Sequence, residues 1–296
     1  MQVDVLKLKD EIARRYLVDA TAQWSPIVNG DECLVWRIAH DTVPLIVRVS
    51  PAWRTADEVR WVHKLMTHCK QSIPEVVTPI AAGDGSTFFV FEAYPVAVFP
   101  FVAGDTLDIT NGALREQAAR LLARIHQATA TFAIQAPHTH QPPLPLEVPD
   151  FLQDAEFDAW VASLPQQGLT RLPIHGDYYR RNVLATDSHI MGVIDWDEAQ
   201  VTYLMAETGW AAWEFCQTPA RHDLDMTKAT DFLSAYLDEH PPCSPAELRH
   251  AVNFIRLRLR DEILNSLVRK GQGEPTDEAY TEAEIRAFNN LRDTPF

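Results

Sequence analysis

The sequence predicts an α+β fold of two lobes, an antiparallel β-sheet with one main helix followed by a mainly helical half. Three observations predict it. Between Trp24 and Val49 three short apolar runs are separated by turn residues, the pattern of an antiparallel meander. Beyond Gly112 apolar residues recur mostly at helical spacing. Residues 173–198 interrupt that spacing with a polar loop and a hairpin, and carry His175, Gly176, Asp177, Asn182 and Asp195.

Residues 5–16 predict an opening helix. Strands are expected at 24–28, 34–39 and 43–49, with turns at Asn29-Gly30-Asp31 and His40-Asp41. The run from Thr55 to Cys69 is helical, with Val62, Leu65 and Cys69 on one stripe and Glu58 one turn before Val62. Two readings fit Glu58. A carboxylate facing the core needs a cation, for which Arg48 is the candidate. Thr55-Ala56-Asp57-Glu58 also spells a capping box, with Thr55 as N-cap. Further strands are expected at 76–82 and 87–91, turning at Gly83-Asp84-Gly85-Ser86, and at 96–102. Pro100 has no N–H, so a backbone donor there must come from Phe101 or Val102.

Gly112–Thr131 reads as a helix, with His126 as a packing or hydrogen-bonding residue. Five prolines between 135 and 149 make a surface loop, where His138 and His140 read as solvated. Helices are expected at 151–163, 204–216, 226–238, 245–270 and 278–291, with Trp210 and Trp213 in the core. Ser244-Pro245-Ala246-Glu247 gives the long helix an N-cap, a proline at its first position and a glutamate at its third. The expected division is residues 1–103 and 104–296.

The net charge of −15 argues against a nucleic-acid partner and suits a cationic substrate. Four scattered cysteines, without a C-x-x-C pair, point to a reducing cytoplasm and away from a zinc site. The N-terminus has no apolar run of signal-peptide length, and no segment approaches the length of a membrane span. The sequence leaves the oligomeric state open.

Phosphoryl transfer needs a carboxylate to orient and deprotonate a hydroxyl, and oxygen ligands to hold a metal on the phosphates. Asp177, Asn182 five residues later and Asp195 after an apolar run supply that set. The apolar run predicts a hairpin, Val183–Ala185 and Ile190–Ile194, turning at Thr186-Asp187-Ser188.

This two-part pattern, His175-Gly176-Asp177 with Asn182 and then Ile194-Asp195-Trp196, resembles the aminoglycoside phosphotransferase and choline kinase group of the protein-kinase-like superfamily. The resemblance implies a protein-kinase-like two-lobe fold and an ATP- and Mg2+-dependent kinase acting on a hydroxyl of a small polar molecule. The acceptor would be an aminoglycoside-like antibiotic, an amino alcohol or a sugar. It implies Asp177 as base, Asn182 and Asp195 as magnesium ligands, and His175 in support. Arg180 or Arg181 is the candidate for contact with the γ-phosphate. Arg48 and Glu58 would form the ion pair that positions the phosphates, with Arg where protein kinases carry Lys. Asn29-Gly30 resembles the loop covering the nucleotide, and Phe99 to Phe101 the hinge strand that holds the adenine. Glu207 stands where relatives brace the catalytic loop. Asp197 and Glu198 read as solvated near the cleft. Asp223, Asp225, Asp261 and Glu262 could receive a cation. A bacterial protein kinase of related fold and a non-catalytic nucleotide-binding module are the alternatives.

Overall fold

The computed structural model describes residues 3–19, 21–27, 33–40, 43–137 and 148–294. Its first part is a five-stranded antiparallel sheet of β1 (Trp24–Ile27), β2 (Leu34–Ile38), β3 (Leu45–Val49), β4 (Phe89–Phe91) and β5 (Tyr94–Pro100), in the order β1-β2-β3-β5-β4. Helix α1 (Val5–Tyr16) lays Leu8 and Ile12 against Val47, Val49, Val96 and Val98 to make a small core. The pleat of β3 buries Leu45, Val47 and Val49 and turns Arg48 to the other face.

Helix α2 (Ala56–Lys70) begins at a capping box, with Glu58 accepting from the Thr55 backbone. Its apolar stripe of Val62, Leu65 and Cys69 packs into the large core of the second half, not into the core beneath the sheet. Residues 76–82 are not the expected strand. Val77 donates to the Val193 carbonyl at 3.1 Å and Ile80 to the Val98 carbonyl at 2.7 Å, so the segment changes partners midway. Pro79 lies between them and lacks an N–H, which prevents a continuous ladder. The expected turn at 83–86 is present, closed by Gly85 N–H on the Ala82 carbonyl.

The second half holds two small sheets. Strand β6 (Asp105–Thr106) pairs with β8 (Val183–Ala185), which pairs with β9 (Ile190–Val193) in the expected hairpin. Strands β7 (Arg171–Ile174) and β10 (Gln200–Tyr203), neither expected, pair antiparallel. Around them stand α3 (Gly112–Ala130), α4 (Ala155–Ser163), α5 (Leu204–Cys216), α6 (Met226–Asp238), α7 (Ala251–Gly271) and α8 (Glu278–Asn290). Two helix starts differ from expectation. Helix α4 begins at Ala155, capped by Asp154, after a separate 3-10 turn at Asp150–Leu152. The capping box at Ser244 and Glu247 opens a 3-10 turn, Pro245–His250, and α7 follows it. Expected positions Asn29 and Gly30, like His138 and His140, lie outside the described residues. No helix is long and apolar enough to cross a membrane among the described residues.

Asp154 fastens this helical half. It caps α4 through Phe157 N–H and takes Arg256 of α7 at 2.6 Å and Arg292 at 3.0 Å. Arg256 is buried between the Phe157 and Phe288 rings. Removing one partner of such a pair leaves a buried charge uncompensated. Asp154→Ala is expected to destabilise the protein by roughly 3 kcal/mol, read as a lower urea midpoint at unchanged slope.

Candidate active site

Strands β7 and β10 hold the two ends of the chain that carries His175 to Glu198. One buried carboxylate shapes the loop that leaves β7. Glu207, in the first turn of α5, accepts from His175 N–H at 3.2 Å and Gly176 N–H at 2.5 Å. His126 of α3 lies 2.8 Å from the same carboxylate, and its other ring nitrogen lies 2.8 Å from the Tyr236 hydroxyl. Burial pushes the Glu207 carboxyl up, but the His126 bond and charge and the Gly176 N–H outweigh it and hold the group below its ordinary range. The expected bracing role of Glu207 and hydrogen-bonding role of His126 are what the geometry gives.

His175 is fully buried. Asp177 N–H points at its Nδ1, 3.2 Å away, so Nδ1 is an acceptor there. Nε2 therefore carries the proton and donates to the Ile194 carbonyl at 3.0 Å. The ring thus ties the loop to the residue before Asp195. Gly176 has φ 87°, and a Cβ there would stand 2.0 Å from the Glu198 carbonyl oxygen. Only glycine allows the loop and the segment after Asp195 to approach this closely.

Asn182 donates through Nδ2 to the Asp177 carbonyl at 2.9 Å and to Asp177 Oδ2 at 2.8 Å. This orients both side chains and leaves the Asn182 oxygen as its acceptor end. Burial pushes the Asp177 carboxyl up, against the pull of Arg258 and of the Asn182 hydrogen bond. Asp195 follows β9 in a left-handed conformation, φ 63°. Asp tolerates that region better than most residues, at an order of 1 kcal/mol. An amide oxygen and a carboxylate from neighbouring strand ends are hard donors that suit a divalent cation also bound by phosphates.

Arg48 reaches across from β3 with both arms of its fork. It donates to Asp195 Oδ1 and to Asp197 Oδ1, each at 2.8 Å. The expected Arg48–Glu58 pair is not made. Glu58 is engaged by its own capping box, accepting from Thr55 N–H at 2.7 Å and Oγ1 at 2.9 Å. Asp197, expected to be solvated, is held by two arginines, because Arg54 also donates to its carbonyl and lies 3.7 Å from its Oδ2. Among the described residues the Arg180 side chain makes no hydrogen bond or ion pair with Asp195. Its carbonyl accepts from Leu107 N–H, and its charge acts on Glu214. Phe99 packs against the large core, and the Phe101 amide donates to the Pro44 carbonyl at 2.8 Å. Of the two candidate donors after Pro100, the Phe101 N–H is therefore already engaged.

Sequence reasoning missed Arg54, Glu214 and Arg258. Glu214 is buried beside Arg221 at 3.7 Å, and burial pushes its carboxyl up to about 7. Arg258 of α7 donates to Glu262 at 2.6 Å and acts on the Asp177 charge. For Arg54 one signal existed, its place directly before the capping box at Thr55. Of the acidic residues expected to receive a cation, Asp225 caps α6 and Asp223 bonds Asn290. Asp261 and Glu262 lie on α7, the helix of Arg258.

A family model described as the Phosphotransferase enzyme family matches residues 23–245. A homoserine kinase of Pseudomonas aeruginosa (strain UCBPP-PA14) is 24% identical over 186 residues, which cover 59% of this chain and 58% of that protein. The match thus spans less than two thirds of that relative's length. A solved amicoumacin kinase in complex with AMP-PNP, Ca2+ and Ami has a TM-score of 0.75 at 15% identity, covering 99% of this chain and 94% of the other. A microcompartment-associated aminopropanol kinase has a TM-score of 0.69 at 18% identity, covering 97% and 95%. These two likenesses establish the protein-kinase-like, two-part α+β architecture.

Glu207→Gln would offer the two loop amides one acceptor and one opposing N–H. A loss of about 2–3 kcal/mol is expected at neutral pH. The folded pKa of Glu207 is depressed, so its contribution is present above the ordinary value of 4.5 and is lost as pH falls through the lower folded value. Urea unfolding of both proteins, repeated towards acid pH, should therefore show the gap between wild type and variant closing below 4.5.

Proposed function

The chain belongs to the Phosphotransferase enzyme family, and we propose that it transfers the γ-phosphate of ATP, with Mg2+, to a hydroxyl of a small polar, cationic molecule. Residues 1–103 would hold the nucleotide and residues 104–296 the acceptor. The observation that carries this reading is the fixed trio of Asp177, Asn182 and Asp195, joined by the Asn182–Asp177 bond and the His175–Ile194 tie.

In this reading Asp177 accepts the hydroxyl hydrogen of the acceptor. Its partial burial and the Asn182 bond set one oxygen in place, which matters more than basicity when the proton leaves late. Asn182, through its side-chain oxygen, and Asp195 would hold Mg2+, which supplies neutralisation of phosphate charge. Arg48 is placed to exchange a carboxylate for a phosphate, since a guanidinium fork fits either. Arg180, next to the catalytic loop's asparagine, would act on the γ-phosphate side, and Glu58 would serve only by fixing the start of α2. At the hinge, Phe99 would pack against the base while the Val102 amide donates to it. Asn29 and Gly30 would cover the phosphates.

The acceptor side supports a cation. Glu214, Glu262 and Glu284 face two arginines, Arg221 and Arg258, so carboxyl groups are in excess. Glu284 is 4% exposed and its Oε1 has no hydrogen-bond partner among the described residues. Burial, and then Glu262, push its carboxyl up to about 9. An ammonium group would supply the missing charge. The kinases of homoserine and aminopropanol among the similar proteins act on amino-bearing alcohols, which agrees with this chemistry.

Magnesium-dependent ATP consumption against amino alcohols, aminoglycosides, sugars and homoserine is the direct assay. Asp177→Asn is expected to cut turnover by about 10³-fold or more while nucleotide binding is retained; turnover at the wild-type level would overturn the assignment of Asp177. Glu214→Gln tests the cation site. Its folded pKa of about 7 lies above the ordinary 4.5, so the carboxyl weakens the fold as pH rises from 4.5 through 7. The variant should be more stable than wild type above pH 7 by about 3 kcal/mol, and should raise KM for an amine-bearing acceptor without a matching loss for a neutral one.

A further inference from the structure

Arg54 sits between β3 and α2 and is 9% exposed. Its NH1 donates to the Asp197 carbonyl, and its NH2 lies 3.7 Å from Asp197 Oδ2 and 3.6 Å from Glu198 Oε1. Its Nε is buried without a hydrogen-bond partner among the described residues. That is an uncomfortable place for a guanidinium, and a side chain serving only to start α2 would not need it, because Thr55 and Glu58 already cap the helix. Its guanidinium also lies over the Trp53 ring, 4.9 Å from the centroid, and its side-chain hydrogen bond and ion pairs among the described residues fall on residues 197–198.

Those two residues lie against the rest of the site. The Glu198 backbone touches the Gly176 position of the catalytic loop. Asp197 also takes one arm of Arg48, whose other arm holds Asp195. A cation that claims the Asp195 carboxylate competes with Arg48 for it. Arg48 then lets go of the one side-chain hydrogen bond that Asp195 makes among the described residues, and that residue is in a left-handed conformation that its surroundings must enforce. Arg54 is untouched by this exchange, since it does not contact Asp195.

We infer that Arg54 is a positioning residue for the metal-bound nucleotide: by holding Asp197 and Glu198 it keeps Asp195 oriented when Arg48 releases it. The inference rests on the reading of Asp195 as a metal ligand. It assigns the two arginines different tasks, Arg48 as the exchangeable partner and Arg54 as the fixed one.

The test measures ADP affinity by calorimetry in EDTA and in saturating Mg2+, for wild type, Arg54→Gln and Arg54→Lys, with thermal unfolding as the folding control. Arg54→Gln is expected to bind ADP in EDTA within about twofold of wild type and to lose about tenfold of the enhancement that Mg2+ gives. Arg54→Lys, which keeps the charge but not the fork, should lose about threefold. An unchanged enhancement in Arg54→Gln overturns the inference, as does an equal loss with and without Mg2+, which would mark Arg54 as a general anchor of the fold. If Arg54→Gln does not fold, Arg54→Lys decides on the same two criteria. Should wild type itself show no Mg2+ enhancement, the metal reading of Asp195 falls and takes this inference with it, an outcome separate from failure of the variants alone.

Discussion

The geometry of the site depends on one buried carboxylate. Glu207 receives two successive backbone amides of the loop, from His175 and Gly176, and is itself held by His126 and, through it, Tyr236. A loop turning at a positive φ cannot satisfy those amides within its own backbone, and a buried N–H left without an acceptor is costly. The carboxylate supplies both acceptors at once. It also joins three helices, α3, α5 and α6, to the loop, so the second half of the chain positions the chemistry as well as enclosing it.

From that anchor the order passes along the chain by short, specific contacts. His175 in its Nε2–H form ties the loop to Ile194, and Asn182 ties Asp177 to the start of the hairpin. The bare face of Gly176 admits the Glu198 backbone. The His175 and Gly176 contacts join segments that belong to one site but leave opposite ends of the β8–β9 hairpin. The segment after Asp195 then meets the other half through Arg48 and Arg54. Three carboxylates, of Asp195, Asp197 and Glu198, meet two guanidinium groups there, so negative charge remains in excess. Excess negative charge in a strand-end cluster favours a further cation.

Local chemistry was legible in the sequence, and long-range pairing was not. The spacing of Asp177, Asn182 and Asp195 could be read because loop and hairpin are contiguous. Helices α5 and α6 run over the expected residues, since their apolar periodicity is unbroken. Glu58 had a local and a distant partner available, and the local capping box is the one formed. Arg48 finds carboxylates almost 150 positions away, which no spacing rule reveals. Val76, Val77 and Ile80 have strand-forming side chains, but Pro79 divides their backbone between two partners. Strands β7 and β10 are four residues each, too short to show a period, and Pro173 masks the first. The acidic wall near Asp177 draws on α5, α7 and α8, so it exists only after those helices pack.

The apolar contacts divide between two cores. Helix α2 shares its interior with the helical half, whereas the sheet shares its interior with α1. The two interiors meet at β5, where Val96 and Val98 pack into the small core and Phe99 against the large one. The seam between them runs along the chain from β3 to α2, and it parts Arg48 from Arg54. Arg48 is therefore a passenger of the sheet, and Arg54 belongs to the ground on which the catalytic loop stands. A shift of the sheet would be felt at Asp195 through Arg48 and hardly at all at Asp197's backbone, which Arg54 grips from the far side of the seam.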